Sequence, residues 1–408
     1  MPIAQNIFAA VVLIVFTAFL AGRLQAARLS RVHSRQLSSL SVYYGWYCAL
    51  GAFAPTMLAG LIAWFFPIRQ DVVAVGLPLI AVAGAIYTCM QVRPEVSMQL
   101  RVERLIKWML MASGGVAVLT TFGIVLSLIF ETGRFFASDG VSASEFFFGL
   151  EWSAQTSAAF GAVPLFFGTF FIAFIALLIA APIGLFCAIY LSEYASPRQR
   201  RVLEPVLEIL AGIPTVVYGF FAILVVAPLV RQLGLAVNDV LRPLNGGMDV
   251  LTAQPKSALA AGLVMGIMII PFVSSLSDDV LRTVPKKLKN GALGVGATRA
   301  EMMKHIVLPV AFPGLMAAML LATSRAIGET MIVVMAAGER ANLTANPFED
   351  ITTVTVQIVA LMTGDPEFDN PRTLSAFALG AALFVVTLFF NFVSQWIVDR
   401  QRKRYAGL

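Results

Sequence analysis

Two groups of residues in this 408-residue chain have types and spacing suited to chemistry. The first lies in the apolar run LMAAMLLATSRAIGETMIVVMAAGER, where Arg325 and Glu329 stand four residues apart. Counted from Pro313 at 1.5 Å per residue, Arg325 falls about 18 Å along a helix, close to the middle of a bilayer. The spacing predicts that both side chains share one helix face. An arginine at that depth costs at least about 2.5–3.5 kcal/mol to insert, so it must face protein or water. Its planar fork matches a phosphate-like oxyanion, and Glu329 could hold it while no anion is present. Gly328 thins the helix for close approach, and Thr330 completes the candidate substrate path. The alternative is an ion pair that only pins neighbouring helices.

The second group lies in PKKLKNGALGVGATRAEMMKHIVLP, from Pro285 to Pro309. Lys286 to Leu293 has helical character, and Gly294 and Gly296 permit a sharp turn. Thr298 followed by Glu301 fits a capping box that starts a second short helix through Met302, Met303 and Lys304. Pro309 is expected to end it and lead into the next span. Two short helices joined at glycines make a projecting knob. The alternative is an ordinary loop whose lysines and arginines only fix topology. No lysine lies in a GxxxxGK[ST] loop, so ATP chemistry has to come from a partner. Cys48, Cys89 and Cys187 all sit in apolar stretches without a CxxC or a Cys/His cluster, as free core thiols would.

The elements that position these residues follow from composition. The chain is 59% hydrophobic and 13% charged, with a mean hydropathy of +0.83, which excludes a soluble domain. Apolar runs long enough to cross about 30 Å of hydrocarbon occur near 4–22, 47–66, 71–92, 105–130, 163–191, 212–232, 257–277, 312–338 and 374–398. The run 212–232 carries Gly212, Pro214 and Pro228 and could be partly re-entrant. The N-terminus, MPIAQNIF, lacks a positive n-region and reads as a retained span. With the N-terminus outside and the C-terminus cytoplasmic, 21 of the 29 Lys and Arg residues fall inside, seven outside, and Arg325 in a span. That sorting accounts for the net charge of +6 without nucleic acid. The aromatic segment 131–160, with Phe135, Phe136, Phe146, Phe147, Phe148 and Trp152, reads as an interfacial belt. The fold class is an all-α integral membrane protein of about nine helices. Residues 1–100 form a three-helix extension, and residues 101–408 a six-helix core carrying the loop near 278–310.

The loop resembles the coupling loop of ABC-type import permeases, whose pattern is roughly Glu-Ala-Ala, three residues, Gly, nine residues, Ile-x-Leu-Pro. Gly296, Ile306, Leu308 and Pro309 stand at that spacing, while Asn290-Gly291-Ala292 replaces the Glu-Ala-Ala part. The resemblance implies that Asn290, Gly291, Ala292, Gly296, Thr298, Glu301, Ile306, Leu308 and Pro309 dock into a cleft of an ATPase subunit. SRAIGETM, FGAVPLFFGTFF, LSEYASPRQRRVLEPVLEILAGIPTVVYGFF and TTVTVQIVALMTGD resemble the phosphate-specific permeases, and TMIVVMAAG resembles their PstC-type subunit. This covers roughly residues 160–400 and leaves 1–100 as added peripheral spans. It implies Arg325 and Glu329 in phosphate passage, in a bacterial inner membrane, surrounded by lipid. The implied partners are a homologous PstA-type permease, two PstB-type ATPases that use ATP and Mg, and an external PstS-type phosphate-binding protein. No cofactor is expected on this chain, and it is not expected to be an enzyme. A sulfate or molybdate importer shares the loop. A secondary transporter would carry intramembrane charges without it. A scaffold or sensor would leave the mid-span charges unexplained.

Overall fold

Hydrocarbon offers a backbone no hydrogen-bond partner, so apolar runs of this length fold as helices that satisfy their own N–H and C=O groups. The computed structural model describes residues 2–33, 38–66, 69–93, 96–154, 158–242, 251–363, 367 and 369–405. Arg35 in the first basic loop, and Gly364 and Asp365 at the end of TTVTVQIVALMTGD, lie outside the described residues. Among the described residues, nine helical runs are long and apolar enough to span: Ile7–Leu29, Ser41–Ala63, Asp71–Met90, Met98–Phe136, Val163–Tyr194, Thr215–Leu241, Ala258–Thr283, Arg299–Ile327 and Pro371–Arg400.

The chain divides into two compact units, Met1–Ile124 and Val125–Leu408. The first contains α1 (Pro2–His33), α2 (Ser41–Phe65), α3 (Gln70–Met90) and the start of α4 (Met98–Phe136). The helices α1, α2 and α3 pack on one another around Ala18, Ala26, Tyr44, Cys48, Ala52 and Met98, mostly small residues that let helices approach closely. The Tyr47 hydroxyl donates to Gln91 at 2.8 Å, and the Arg101 guanidinium lies 5.8 Å from the Tyr47 ring centre.

The second unit continues from α4 into α5 (Ala143–Phe148), the hairpin β1 (Trp152–Ser153) and β2 (Ala159–Phe160), and α6 (Val163–Ile189). Then come α7 (Pro197–Gly212), α8 (Thr215–Phe221), α9 (Ala227–Leu241), α10 (Ala258–Thr283), α11 (Lys286–Gly294) and α12 (Arg299–Met302). The helices α13 (Leu308–Ile327), α14 (Met331–Ala336), α15 (Val354–Met362) and α16 (Pro371–Tyr405) complete it. The centre of this unit is α10, which packs along α6 and also meets α13. Ala176, Ala180, Ala261, Met265, Ile269 and Val273 are buried there with Ala322 and Ile327 of α13.

Three sequence expectations change. The run 212–232 is shifted: Gly212 ends α7, and the continuous 27-residue helical stretch is Thr215–Leu241. Pro214 precedes its first turn, and Pro228 follows a π turn at Ala222–Val226 that carries the helix past it. The eighth span is not 312–338. Its helical run begins at Arg299 and stops at Ile327, because α12 passes through a π turn at Met303–Val307 directly into α13. Pro309 therefore lies inside a helical run and does not end one. The π turn sits where proline removes a backbone donor. The aromatic segment is not simply a belt: Phe135 and Phe146 are fully buried and Trp152 nearly so. They pack edge to face with Phe136 and Phe160 as the hairpin folds back, while Phe147 and Phe148 stay exposed.

One close approach fixes the loop before α15. A Cβ at Gly168 of α6 would stand 2.1 Å from the Thr352 carbonyl oxygen, and the neighbouring Thr169 hydroxyl accepts from the Val354 N–H at 3.1 Å. Gly168→Ala is expected to destabilise the protein by about 1–3 kcal/mol, because a methyl there forces the backbone apart. Thermal unfolding in detergent checks it; an unchanged midpoint would show that the loop can move freely.

Candidate functional site

The residues expected to form a helical pair do not form one. The helix α13 ends at Ile327, and Gly328, Glu329 and Thr330 break it before α14 begins at Met331. Arg325 occupies the last turn of α13, with its guanidinium 5.1 Å from the Phe272 ring centre, a cation–π distance. Phe272 lies about 21 Å along the 26-residue helix α10, near its middle. Arg325 is therefore placed beside the middle of α10 through its neighbour. Its side chain is exposed on this chain, and among the described residues no carboxylate pairs with it.

Glu329 turns the other way. Its Oε1 accepts from the Met331 N–H at 3.0 Å and approaches that of Ile332 at 3.5 Å, capping α14. The i,i+4 geometry fails because the break removes the helix that it presumes. Thr330 lies beside the break, its hydroxyl 3.5 Å from the Gly328 carbonyl, and Gly328 itself is exposed. The Thr355 hydroxyl donates to the Glu329 carbonyl at 3.0 Å and shares a 3.0 Å contact with the Thr353 hydroxyl. Gln357 donates to the Glu339 carbonyl at 2.9 Å and accepts from the Trp152 indole at 3.2 Å. The buried segment 352–357 thus ties the broken helix to the hairpin. Phe272, Thr353, Thr355 and Gln357 had no role in the sequence reading. The dense hydroxyls of TTVTVQ inside an apolar context were the available signal.

A cavity of about 380 Å³ lies against Phe272 and is lined by Glu204, Glu208, Ser274, Ser275, Asp278, Asp279 and Arg282. Asp278 is buried and accepts from Arg200 at 2.9 Å and from Arg282, and both arginines also reach Glu204. These cations are already neutralised, so the cavity does not offer a second place to retain an anion.

The knob forms as its local signals indicate. Gly296 has φ +89°, its N–H donates to the Leu293 carbonyl at 3.1 Å, and the Ala297 N–H reaches the Ala292 carbonyl at 3.1 Å. This Schellman closure needs a left-handed residue, which glycine adopts without strain. The Thr298 hydroxyl accepts from the Glu301 N–H, and the Glu301 carboxylate accepts from the Thr298 N–H at 2.8 Å. Ala292 is buried with Met302, Met303 and Val307 against Leu281 and Val284, and Ile306 and Leu308 pack beside them. Asn290, Gly291, Gly296, Thr298, Glu301 and Pro309 are exposed. So are Leu288, Leu293 and Val295, the last at 87%, which leaves the tip apolar and uncovered.

Nine candidate spans among the described residues, a helix broken beside Arg325 and a two-helix knob with an exposed apolar tip are the architecture of a multi-pass membrane protein. Residues 180–406, more than half of the sequence, match the family described as the binding-protein-dependent transport system inner membrane component, and the chain belongs to that family. Membership makes it a multi-pass, non-enzymatic transport component that works with an ATPase and a binding protein. Residues 8–78, left outside the resemblance in the sequence reading, match a second family, described as a phosphate ATP-binding cassette transporter.

Relatives carry these matches across much of the chain. A phosphate transport system permease protein PstC of Mesorhizobium japonicum is 33% identical, covering 68% of this chain and 84% of that one. A PstC of Xylella fastidiosa is 32% identical over 74% of this chain and 93% of its own. A probable ABC transporter permease protein YqgH of Bacillus subtilis is 32% identical over 65% of this chain and 81% of its own.

Proposed function

We propose that this chain is the PstC-type permease of an ATP-driven phosphate importer and forms half of its translocation path. The observation that carries the reading is Arg325: a permanent guanidinium on a candidate span, beside the middle of α10, exposed, and without a carboxylate partner among the described residues. A guanidinium in that state binds an oxyanion, and relatives over most of the chain are named phosphate transport permeases. Gly328 and Thr330 lie at the break beside the path; Glu329 shapes it by capping α14. The exposed face of the knob, from Asn290 through Glu301, docks on the ATPase, with Ala292, Ile306, Leu308 and Pro309 joining it to the spans. The partners are a PstA-type permease, two PstB-type ATPases that bind the ATP and Mg, and a PstS-type phosphate-binding protein. The N-terminus lies outside a bacterial inner membrane and the knob and C-terminus inside, as the distribution of Lys and Arg indicates. Residues 1–100 serve as an added extension of the permease.

Reconstitution tests this directly. The purified complex in liposomes is expected to import phosphate in preference to sulfate or molybdate when ATP and the binding protein are both supplied. The chain alone should move none. Full-rate uptake by the isolated chain, or a preference for sulfate, would overturn the reading.

A further inference from the structure

We propose that Lys289 is the positioning residue that passes movement of the knob to the spans α6 and α10. It sits mid-way along α11, just before Asn290, and its ammonium joins three elements. It pairs with the Glu193 carboxylate on the π turn Tyr190–Tyr194 that extends α6. It also donates to the Leu281 carbonyl near the end of α10 at 3.1 Å. Both charged side chains are only 14% exposed. Among the described residues, no other side chain of the knob hydrogen-bonds to a span.

Apart from the backbone itself, which runs from α10 into α11 and from α12 into α13, the remaining contact is apolar, with Ala292, Met302 and Met303 lying on Leu281 and Val284. Such surfaces hold without direction and tolerate sliding. A charged hydrogen bond has a set length and angle, and when shielded from water it cannot readily change partners. Lys289 therefore adds a directional tie to α10 and gives the knob its one polar side-chain connection to α6 among the described residues. On α10, Leu281 lies about 13 Å along the helix from Phe272, the ring beneath Arg325. The tie thus ends one helix segment away from the anion site. Lys289 looked like a topology marker in the sequence, and Glu193 had no role, because the two are 96 residues apart.

This inference rests on the reading of the knob as the ATPase-docking element. It is tested in the assembled complex in liposomes, by the number of phosphates imported per ATP hydrolysed. Lys289→Met and Glu193→Gln are expected to assemble and hydrolyse ATP, with that ratio reduced about tenfold or more, the scale of a lost hydrogen bond between charged groups. Lys289→Arg keeps the charge and the donors and should stay near the parent ratio. An unchanged ratio in Lys289→Met overturns the proposal. So does a parallel fall in assembly, hydrolysis and import, which is the signature of a purely structural pair. A parent complex that hydrolyses ATP without moving phosphate instead sinks the functional reading, and this inference with it.

Discussion

Arg325→Gln is expected to reduce phosphate uptake by about a hundredfold or more, since a hydrogen bond to a charged group contributes about 1.5–3 kcal/mol and a guanidinium fork makes two. Glutamine keeps much of the length and polarity but loses the fixed charge and the fork. Assembly of the complex should persist, because Arg325 has no carboxylate partner among the described residues to be left stranded. Arg325→Lys separates charge from geometry. Partial uptake would mean that charge suffices, and none would mean that the planar fork is required. Glu329→Gln should be mild, since an amide oxygen can still accept from the Met331 N–H and keep α14 capped. Glu329→Ala removes that acceptor and should cost about 1 kcal/mol of stability, with a smaller effect on uptake than Arg325→Gln. Uptake by Arg325→Gln at the parent rate would remove the arginine from the path. Loss of the assembled complex in Arg325→Gln would make its role structural.

Gly296→Pro is expected to uncouple ATP hydrolysis from transport. The native φ of +89° lies far from the value near −65° that proline imposes, and the Gly296 N–H that closes the turn on Leu293 would be lost. Gly296→Ala is the graded version, with about 1–2 kcal/mol of left-handed strain and a partial defect. A Cβ at this position meets no atom within 4 Å, so the effect would be due to backbone handedness and not to a clash. The measurement is phosphate imported per ATP in the reconstituted complex, beside the amount of chain inserted. Normal import by inserted Gly296→Pro would end the coupling role of the knob. Deleting Thr298–His305 is a blunter test than the sequence suggests. The structure shows those residues opening the same helical run that becomes the eighth span, so the deletion alters the span as well as the knob.

The knob was legible because its signals are local. The capping box spans four residues and the glycine turn six, so the chain signals both without reference to anything distant. The number of spans was legible for a similar reason, since apolar length is a property of each segment alone. The break at Gly328–Thr330 was not. Met331 to Ala336 continues the apolar run, and hydropathy cannot distinguish one helix from two joined at a bend. The contacts that decide the site join distant segments: Arg325 to Phe272, Thr355 to Glu329 and Gln357 to Trp152. The π turns were hidden too, because an extra residue in a helical turn leaves no mark in composition.

The exposed guanidinium also bears on how long an unassembled copy persists. In a bilayer without its partner, the chain must hold Arg325 against lipid or draw water down to it, at about 2.5–3.5 kcal/mol or more. Set against a typical folding stability of about 5–15 kcal/mol, that is a substantial fraction of what keeps a protein folded. If Arg325 lines the proposed path, the side chain that would meet the anion is also the one that loads an unassembled copy with this cost, and a marginally stable membrane protein is the one that proteases meet first.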